Sequence, residues 1–320
     1  MSAVKEETYA CLALSLVPGL GMCCLNQLVP QYQKLKELLR SPPGQVAPCF
    51  LSREMRTFIS SGEAGRAADQ AIQDSSRQGI RIFSVFDKEY PHLLKQIFDP
   101  PAILYGCGNL EVLCRPSVAV VGSRRCSVYG KEVTRKITRE VSALGLSVVS
   151  GMARGIDTQA HLGALEGGGT TVAVLGNGVD VVYPRENLRL YREIVDKGCV
   201  ISEFPCGSFP APQNFPVRNR IISGVCYGTL ITEAAELSGS LITARLTLEQ
   251  DRELWAVPGN VMNAGSYGPN DLIKQGAQMV TDGQDLLEAL PPYVLDLLAR
   301  IPLPSAPSGT ASLTSREEKV

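Results

Sequence analysis

The sequence predicts an α/β protein built on a doubly wound, mostly parallel sheet, with a small helical region before it. Three observations predict this. From Ser117 onward, short apolar runs alternate regularly with helical patterns. The runs, at 117–121, 146–150, 171–175, 199–202, 228–232, 253–257 and 277–280, lack the polar alternation of a half-exposed strand, as befits strands covered on both faces. Residues 1 to about 75 carry interrupted apolar stripes instead, through Leu12, Leu16, Leu25, Leu28, Leu35 and Leu38 or Leu39, and predict helices.

Within that first region, Val17-Pro-Gly-Leu-Gly21 separates two helices. Such a glycine hairpin can present backbone N–H groups to a DNA phosphate, but an ordinary helix–helix turn is the favoured reading. Ile80–Phe86 and Pro100–Tyr105 turn β-like and proline-rich, and are expected as a lead-in packed beside the main sheet. Val118-Ala-Val-Val-Gly-Ser-Arg-Arg then reads as a strand breaking into a glycine turn. The helix after it, about 128–144, places Val133, Ile137, Val141 and Leu144 on one face, so its N-terminal N–H groups should aim at the turn. Gly122 lets the backbone come close to a ligand, Ser123 adds a hydroxyl, and Arg124 and Arg125 add guanidinium groups shaped to fork onto phosphate oxygens. From this turn alone, a phosphate cradle and an ordinary βα turn with solvated arginines are both open readings.

Composition narrows the function. At 320 residues, 44% hydrophobic and 20% charged, the chain has the make-up of a soluble globular protein of about two domains. A net charge of -1 argues against coating nucleic acid by bulk charge, but leaves room for a local basic groove. Ten cysteines are scattered without a C-x-x-C pair, and the N-terminus shows no secretion signal, so free thiols in a reducing cytoplasm are expected. Two histidines, His92 and His161, are too few for a histidine-based metal site, and no metal or cofactor is expected. No apolar stretch is long enough to span a membrane.

In a doubly wound sheet, ligands bind outside the carboxyl ends of the strands, so the residues after each run are the candidates. The second run leads into Ser150-Gly-Met-Ala-Arg-Gly-Ile-Asp157, with Arg154 in the turn and Asp157 placed to cap the helix containing His161. The third is followed by Gly176-Asn-Gly-Val-Asp180 and Tyr183-Pro-Arg-Glu-Asn187. Beyond the fourth lies Phe215-Pro-Val-Arg-Asn-Arg-Ile-Ile222, with Phe215 as an aromatic face beside Arg218, Asn219 and Arg220. The fifth gives Glu233 and then Ser238-Gly239-Ser240, a second anion cradle at a helix start with Arg245 one turn inside. After the sixth come Pro258-Gly-Asn260 and Gly265–Asn270. Several cradles with interleaved arginines suggest a row of phosphates, as a polynucleotide strand presents. A core anchor for Phe215 and a structural ion pair for Arg220 remain open alternatives.

These motifs, in this order, resemble the DNA-processing protein A family, also called DprA or Smf. The resemblance covers about residues 80–290 and rests on Gly122-Ser-Arg124, Ser150–Asp157, Phe215–Ile222 and Ser238-Gly-Ser-Leu-Ile-Thr-Ala244. It implies an extended Rossmann-like domain over 76–292 that binds single-stranded DNA. It also implies a small helical domain over 1–75, of SAM-like or helix-hairpin-helix-like kind, and a homodimer in the cytoplasm. By this resemblance the protein protects incoming strands and loads the RecA recombinase during natural transformation. Gly122, Ser123 and Arg124 would hold phosphates. Arg154, Phe215, Arg218, Asn219 and Arg220 would line the groove, with Ser238, Gly239, Ser240 and Arg245 beside them. Residues 293–320 would be a linker and the start of a winged helix: Pro302–Ser312 is rich in Pro, Ser, Ala and Gly, Thr314 or Ser315 can cap the segment from Leu313, and the sequence ends before that element could complete a core. Two departures from the family pattern, the residue before Arg252 and Cys226 in place of Ser, leave the groove motifs untouched.

The main alternative is a nucleotide-binding enzyme on the same fold, similar to the phosphoribohydrolases that resemble lysine decarboxylases. Those need a P-G-G-x-G-T-x-x-E loop, whereas Tyr227-Gly-Thr-Leu-Ile-Thr-Glu233 keeps only the glutamate. Glu233 is therefore expected to be structural, holding backbone N–H groups or an arginine. G-x-G-x-x-G is absent after the first strand and no Walker A lysine loop occurs, so the expectation is a non-catalytic binder.

Overall fold

The computed structural model describes residues 4–21 and 51–300, with Leu25, Val29, Leu35, Glu37 and Leu39 between them. One sheet organises these residues. Its strands are β1 (Arg81–Ser84), β2 (Ile103–Gly108), β3 (Ser117–Val121), β4 (Ser147–Ser150), β5 (Thr171–Val174), β6 (Cys199–Ser202), β7 (Gly228–Ile231), β8 (Glu253–Ala256) and β9 (Gln278–Met279). They lie in the order β1-β2-β6-β5-β4-β3-β7-β8-β9. From β6 across to β9 every pair is parallel. All seven runs read as strands are present, each within a residue of its expected limits. The lead-in segments do more than pack beside the sheet: β2 pairs antiparallel with β6, Tyr105 opposite Ser202, and β1 pairs antiparallel with β2.

The helices are α1 (Glu6–Ser15), α2 (Arg53–Ser60), α3 (Glu63–Arg77), α4 (His92–Lys95), α5 (Val128–Ala143), α6 (Ile156–Glu166), α7 (Leu188–Lys197), α8 (Asn214–Gly224), α9 (Gly239–Glu249), α10 (Tyr267–Lys274), α11 (Gly283–Glu288) and α12 (Pro292–Leu298). The central strands are covered on both faces, so every residue from Ser117 to Val121 is buried. On α5, Ile137 and Val141 enter the core. Thr134 and Thr138 are buried there too, and each hydroxyl donates one turn back, to Gly130 O at 2.6 Å and Thr134 O at 2.8 Å. Leu144, expected on the same face, is 43% exposed. The helix stops at Ala143, Gly145 turns the chain at φ 96°, and Leu146 takes the core position instead.

α1 shares an apolar cluster with Ile103 and Tyr105 of β2, and Lys5 and Thr8 both reach Asp87 beyond β1, at 2.9 and 2.5 Å. Leu28 and Leu38 of the expected stripes, most of the helix expected after Gly21, and Pro302–Val320 lie outside the described residues. Val294 and Leu298 of α12 are buried with Leu286 and Ile137, so packed chain continues past residue 292, where a linker was expected. Seven of the cysteines, at 11, 107, 114, 126, 199, 206 and 226, are free. Among the described residues no cluster could hold a metal ion, and no helix is long and apolar enough to cross a membrane.

From β3 the chain steps outward through β4, β5 and β6, then returns by α8 to lay β7, β8 and β9 on the other side of β3. The winding reverses between β3 and β7. At that point successive connections leave on opposite faces, and a crevice opens at the strand ends.

Candidate nucleic-acid interface

The crevice is a cleft of about 1040 Å³. Its sides are the turn after β3, the first turns of α8, and the segments on either side of the α9 N-terminus and at Asn263–Gly265. Gly122 is what lets these elements meet. A Cβ there would stand 2.7 Å from both Glu233 O and Ile156 Cγ1, so the missing side chain serves close packing of the two turns on α6. Ser123 is fixed in the same seam: its N–H donates to Glu233 O at 2.6 Å, and its carbonyl accepts from Ile156 N–H at 3.2 Å. The Ser123 hydroxyl accepts from Arg125 N–H at 3.1 Å, so what it can offer a ligand is its own proton.

The N-terminus of α5 does not face the cleft as a vacant anion site. Glu233, 2% exposed, accepts Ser127 N–H at 2.8 Å and the Ser127 hydroxyl at 2.5 Å, while Ser127 Oγ caps α5 by accepting from Gly130 N–H at 3.0 Å. An internal carboxylate thus holds the place expected for a phosphate. The structural role expected of Glu233 is the one its hydrogen bonds describe.

The arginines divide sharply. Arg124 and Arg125 are exposed and border the cleft, and the Arg124 guanidinium lies 5.3 Å from the centre of the Phe215 ring. Phe215 is half-buried on the first turn of α8, with Tyr183 against it at a centroid distance of 5.7 Å. Tyr183 is not among the residues expected along the groove, although its place in a segment after a strand end marks it as a candidate. Arg125, absent from the residues expected along the groove, also borders the cleft.

Arg218 and Arg220 were expected to line the groove; Arg218 does border the cleft, 6.0 Å from the centre of the Phe215 ring, whereas Arg220 does not, and both guanidinium groups are buried in bonds to the protein itself. Arg218 is 3% exposed; Nη1 donates to Gly151 O at 2.9 Å and to Val174 O, tying the ends of β4 and β5 together. Burial lowers its pKa to about 10, against the opposing pull of Asp157. Gly151 has no room for a side chain, because a Cβ would stand 2.5 Å from Arg218 Nη1 and 2.7 Å from Asp157 Oδ2. Arg220 is bidentate with buried Glu203, at 2.9 and 2.7 Å, and also donates to Asp99 at 2.8 Å. The ion-pair alternative for Arg220 is therefore the correct one.

Arg154 and Arg245 also lie away from the main cleft. Arg154 is exposed but forks onto Glu186, with Nη2 2.8 Å from Oε2, and it borders a small side pocket behind Phe215 rather than the main cleft. Arg245 is exposed, lies 3.4 Å from Glu249 on its own helix, and is not among the cleft residues. Both were expected in the groove; each instead pairs with a carboxylate close to it.

Asp157 is not the cap of α6, since Gly155 holds that place and Asp157 is the second residue of the helix. Its carboxylate accepts Gly151 N–H at 3.2 Å and Ala153 N–H at 3.3 Å, which shapes the turn after β4. Burial raises its pKa, and Arg218 and those amides act against the rise. His161, fully buried on α6, is held to about 3, chiefly by burial and secondly by Arg218. Thr171 Oγ1 donates to Val148 O at 2.6 Å, so it must accept from His161 Nδ1 at 2.7 Å, which leaves Nε2 as the bare nitrogen.

On the far side, Ser238 caps α9, accepting from Ser240 N–H at 3.4 Å with the two hydroxyls 2.7 Å apart. Ser240 is buried, whereas Gly239 is exposed, with open space where a Cβ would stand. Asn219 Nδ2 reaches Gly239 O at 3.5 Å, linking α8 to this turn. The cleft therefore combines two accessible guanidinium groups, a half-buried aromatic pair and an exposed glycine at a helix start. That set suits a phosphodiester backbone with unstacked bases.

The family model for DNA recombination-mediator protein A matches residues 81–291. Over 219 residues the chain is 44% identical to DNA processing protein DprA of Streptococcus pneumoniae, covering 68% of this chain and 77% of that one. Over 280 residues it is 36% identical to DNA processing protein DprA of Bacillus subtilis, covering 85% and 94%. The X-ray structure of the S. pneumoniae protein superposes with a TM-score of 0.71 at 36% identity, over 91% of this chain and 99% of that one. A structure of DNA processing protein A from Helicobacter pylori, described by its single-stranded DNA binding mode, superposes with a TM-score of 0.59 at 29% identity, over 68% and 96%.

Proposed function

Because the chain belongs to the DNA recombination-mediator protein A family, we propose that it binds single-stranded DNA in the crevice between β3 and β7 and acts in DNA processing during recombination. The observation that carries this reading is the meeting of Arg124, Arg125 and Phe215 at the switch point of the sheet. Arg124 and Arg125 take phosphates, and Phe215, braced by Tyr183, offers its ring to a base. Such contacts position a strand without reading its sequence. The H. pylori relative, whose structure is described by single-stranded DNA binding, supports the assignment of ligand.

In this reading the protein is a cytoplasmic, non-catalytic homodimer that passes its strand to the RecA recombinase. That part is carried by the family resemblance, as is the division into a helical region to residue 75 and a DNA-binding region after it, to which the packing of α12 adds the chain to Leu298. The enzyme reading requires a glutamate free to touch substrate, whereas both oxygens of Glu233 are engaged by Ser127. Titration of a fluorescent oligo-dT at low salt tests the proposal, with saturable binding expected. Absence of binding, or release of free base from nucleoside monophosphates, would contradict it.

A further inference from the structure

Glu233 is a buried acidic side chain at the floor of a site read as binding polyanions. Three features show that the surrounding chain is built to hold it there. Ser127 gives it both an N–H and a hydroxyl, at 2.8 and 2.5 Å. Gly130 leaves it room: a Cβ at that position would stand 2.5 Å from Glu233 Cδ and 2.6 Å from Oε2. Its own carbonyl accepts from Ser123 N–H at 2.6 Å, locking the turn after β7 to the turn after β3. The carboxylate is thus a fixed anion at the start of a sixteen-residue helix, in the crevice position where doubly wound folds place a nucleotide phosphate.

Resting on the DNA-binding reading above, we propose that Glu233 is a specificity-determining residue that fills the deep phosphate position and so excludes mononucleotides and terminal phosphate monoesters, leaving only a backbone strand held at the rim. A phosphate monoester would have to displace the carboxylate from Ser127 and then lie beside it, and like charges at such distance repel. An internal phosphodiester held by Arg124 and Arg125 never reaches that depth. The parent protein therefore binds oligo-dT equally well with a 5′-phosphate or a 5′-hydroxyl, and does not bind dTMP.

The test is calorimetric titration of the full chain, parent and variants, with dTMP and with inorganic phosphate, beside oligo-dT carrying either 5′ end. Glu233→Gln keeps the shape and removes the charge, and Glu233→Ala removes both. Folding of each is checked by its thermal transition. The expected result is a gain in dTMP and phosphate affinity of about tenfold or more in either folded variant, with a new preference for the 5′-phosphorylated oligonucleotide. Saturable binding of dTMP by the parent overturns the proposal whatever the variants do, and so does a folded variant that gains nothing. Failure of the parent to bind oligo-dT would instead strike the DNA-binding reading, and the dTMP comparison would still decide what Glu233 excludes.

Discussion

The Arg124 guanidinium stands 5.3 Å from the centre of the Phe215 ring, so the first βα turn and the start of α8, 91 residues apart in the chain, meet as a cation over an aromatic face. The two are expected to fail differently. Arg124→Ala should weaken oligo-dT binding by about tenfold and flatten its salt dependence by about 0.7 per decade, because a phosphate contact is lost. Phe215→Ala should cost roughly 1–3 kcal/mol while leaving the salt dependence in place, because a stacking surface is lost. Equal changes in salt dependence for both variants would contradict this division.

Arg218→Ala should act through the fold rather than through a phosphate. It removes the donor to Gly151 and Val174 and the positive charge that opposes the burial-driven rise of the Asp157 pKa. Leaving those two buried carbonyls without their donor is expected to cost roughly 1–3 kcal/mol of stability. Denaturant unfolding of Arg218→Ala beside Arg124→Ala checks it: only the former should show a large loss.

Arg245→Ala should bind oligo-dT within about twofold of the parent, since an exposed pair with Glu249 outside the cleft contributes little to either stability or binding. A tenfold loss would place DNA along the outer face of α9.

Acid should destabilise the protein through His161. Its folded pKa is depressed to about 3, below the unfolded value, so its contribution is present above the unfolded pKa and is lost as the pH falls toward the folded one. Protonation would put a charged N–H at buried Nε2, which has no acceptor among the described residues. Stability should decline by up to about 1.4 kcal/mol per pH unit between about pH 6 and pH 4 from this residue. His161→Gln should lessen that slope, and unfolding curves across the range measure it.

The sheet was legible because apolar runs covered on both faces have a signature that does not depend on distant partners. Ser117–Val121 could be placed from its own five residues. The arginines were not legible in the same way. Arg218 and Arg220 sit two apart on α8 and look alike in sequence, yet one is buried by the ends of β4 and β5, and the other by Glu203 and Asp99. Those partners lie between 17 and 121 residues away, beyond what local periodicity can report. Glu233 was placed correctly as a structural group, but that it takes the helix N-terminus expected for phosphate depends on a packing seam that only the fold reveals.

The salt dependence of oligo-dT affinity tests the account most directly, because it counts the cations that meet phosphate. The five arginines that the family resemblance places in the groove, Arg124, Arg154, Arg218, Arg220 and Arg245, would if all in contact give a slope of about −3.5 in log K against log salt. The cleft offers two exposed arginines, Arg124 and Arg125, and predicts about −1.4 per protomer. A slope near −3.5, or no binding at low salt, would contradict it.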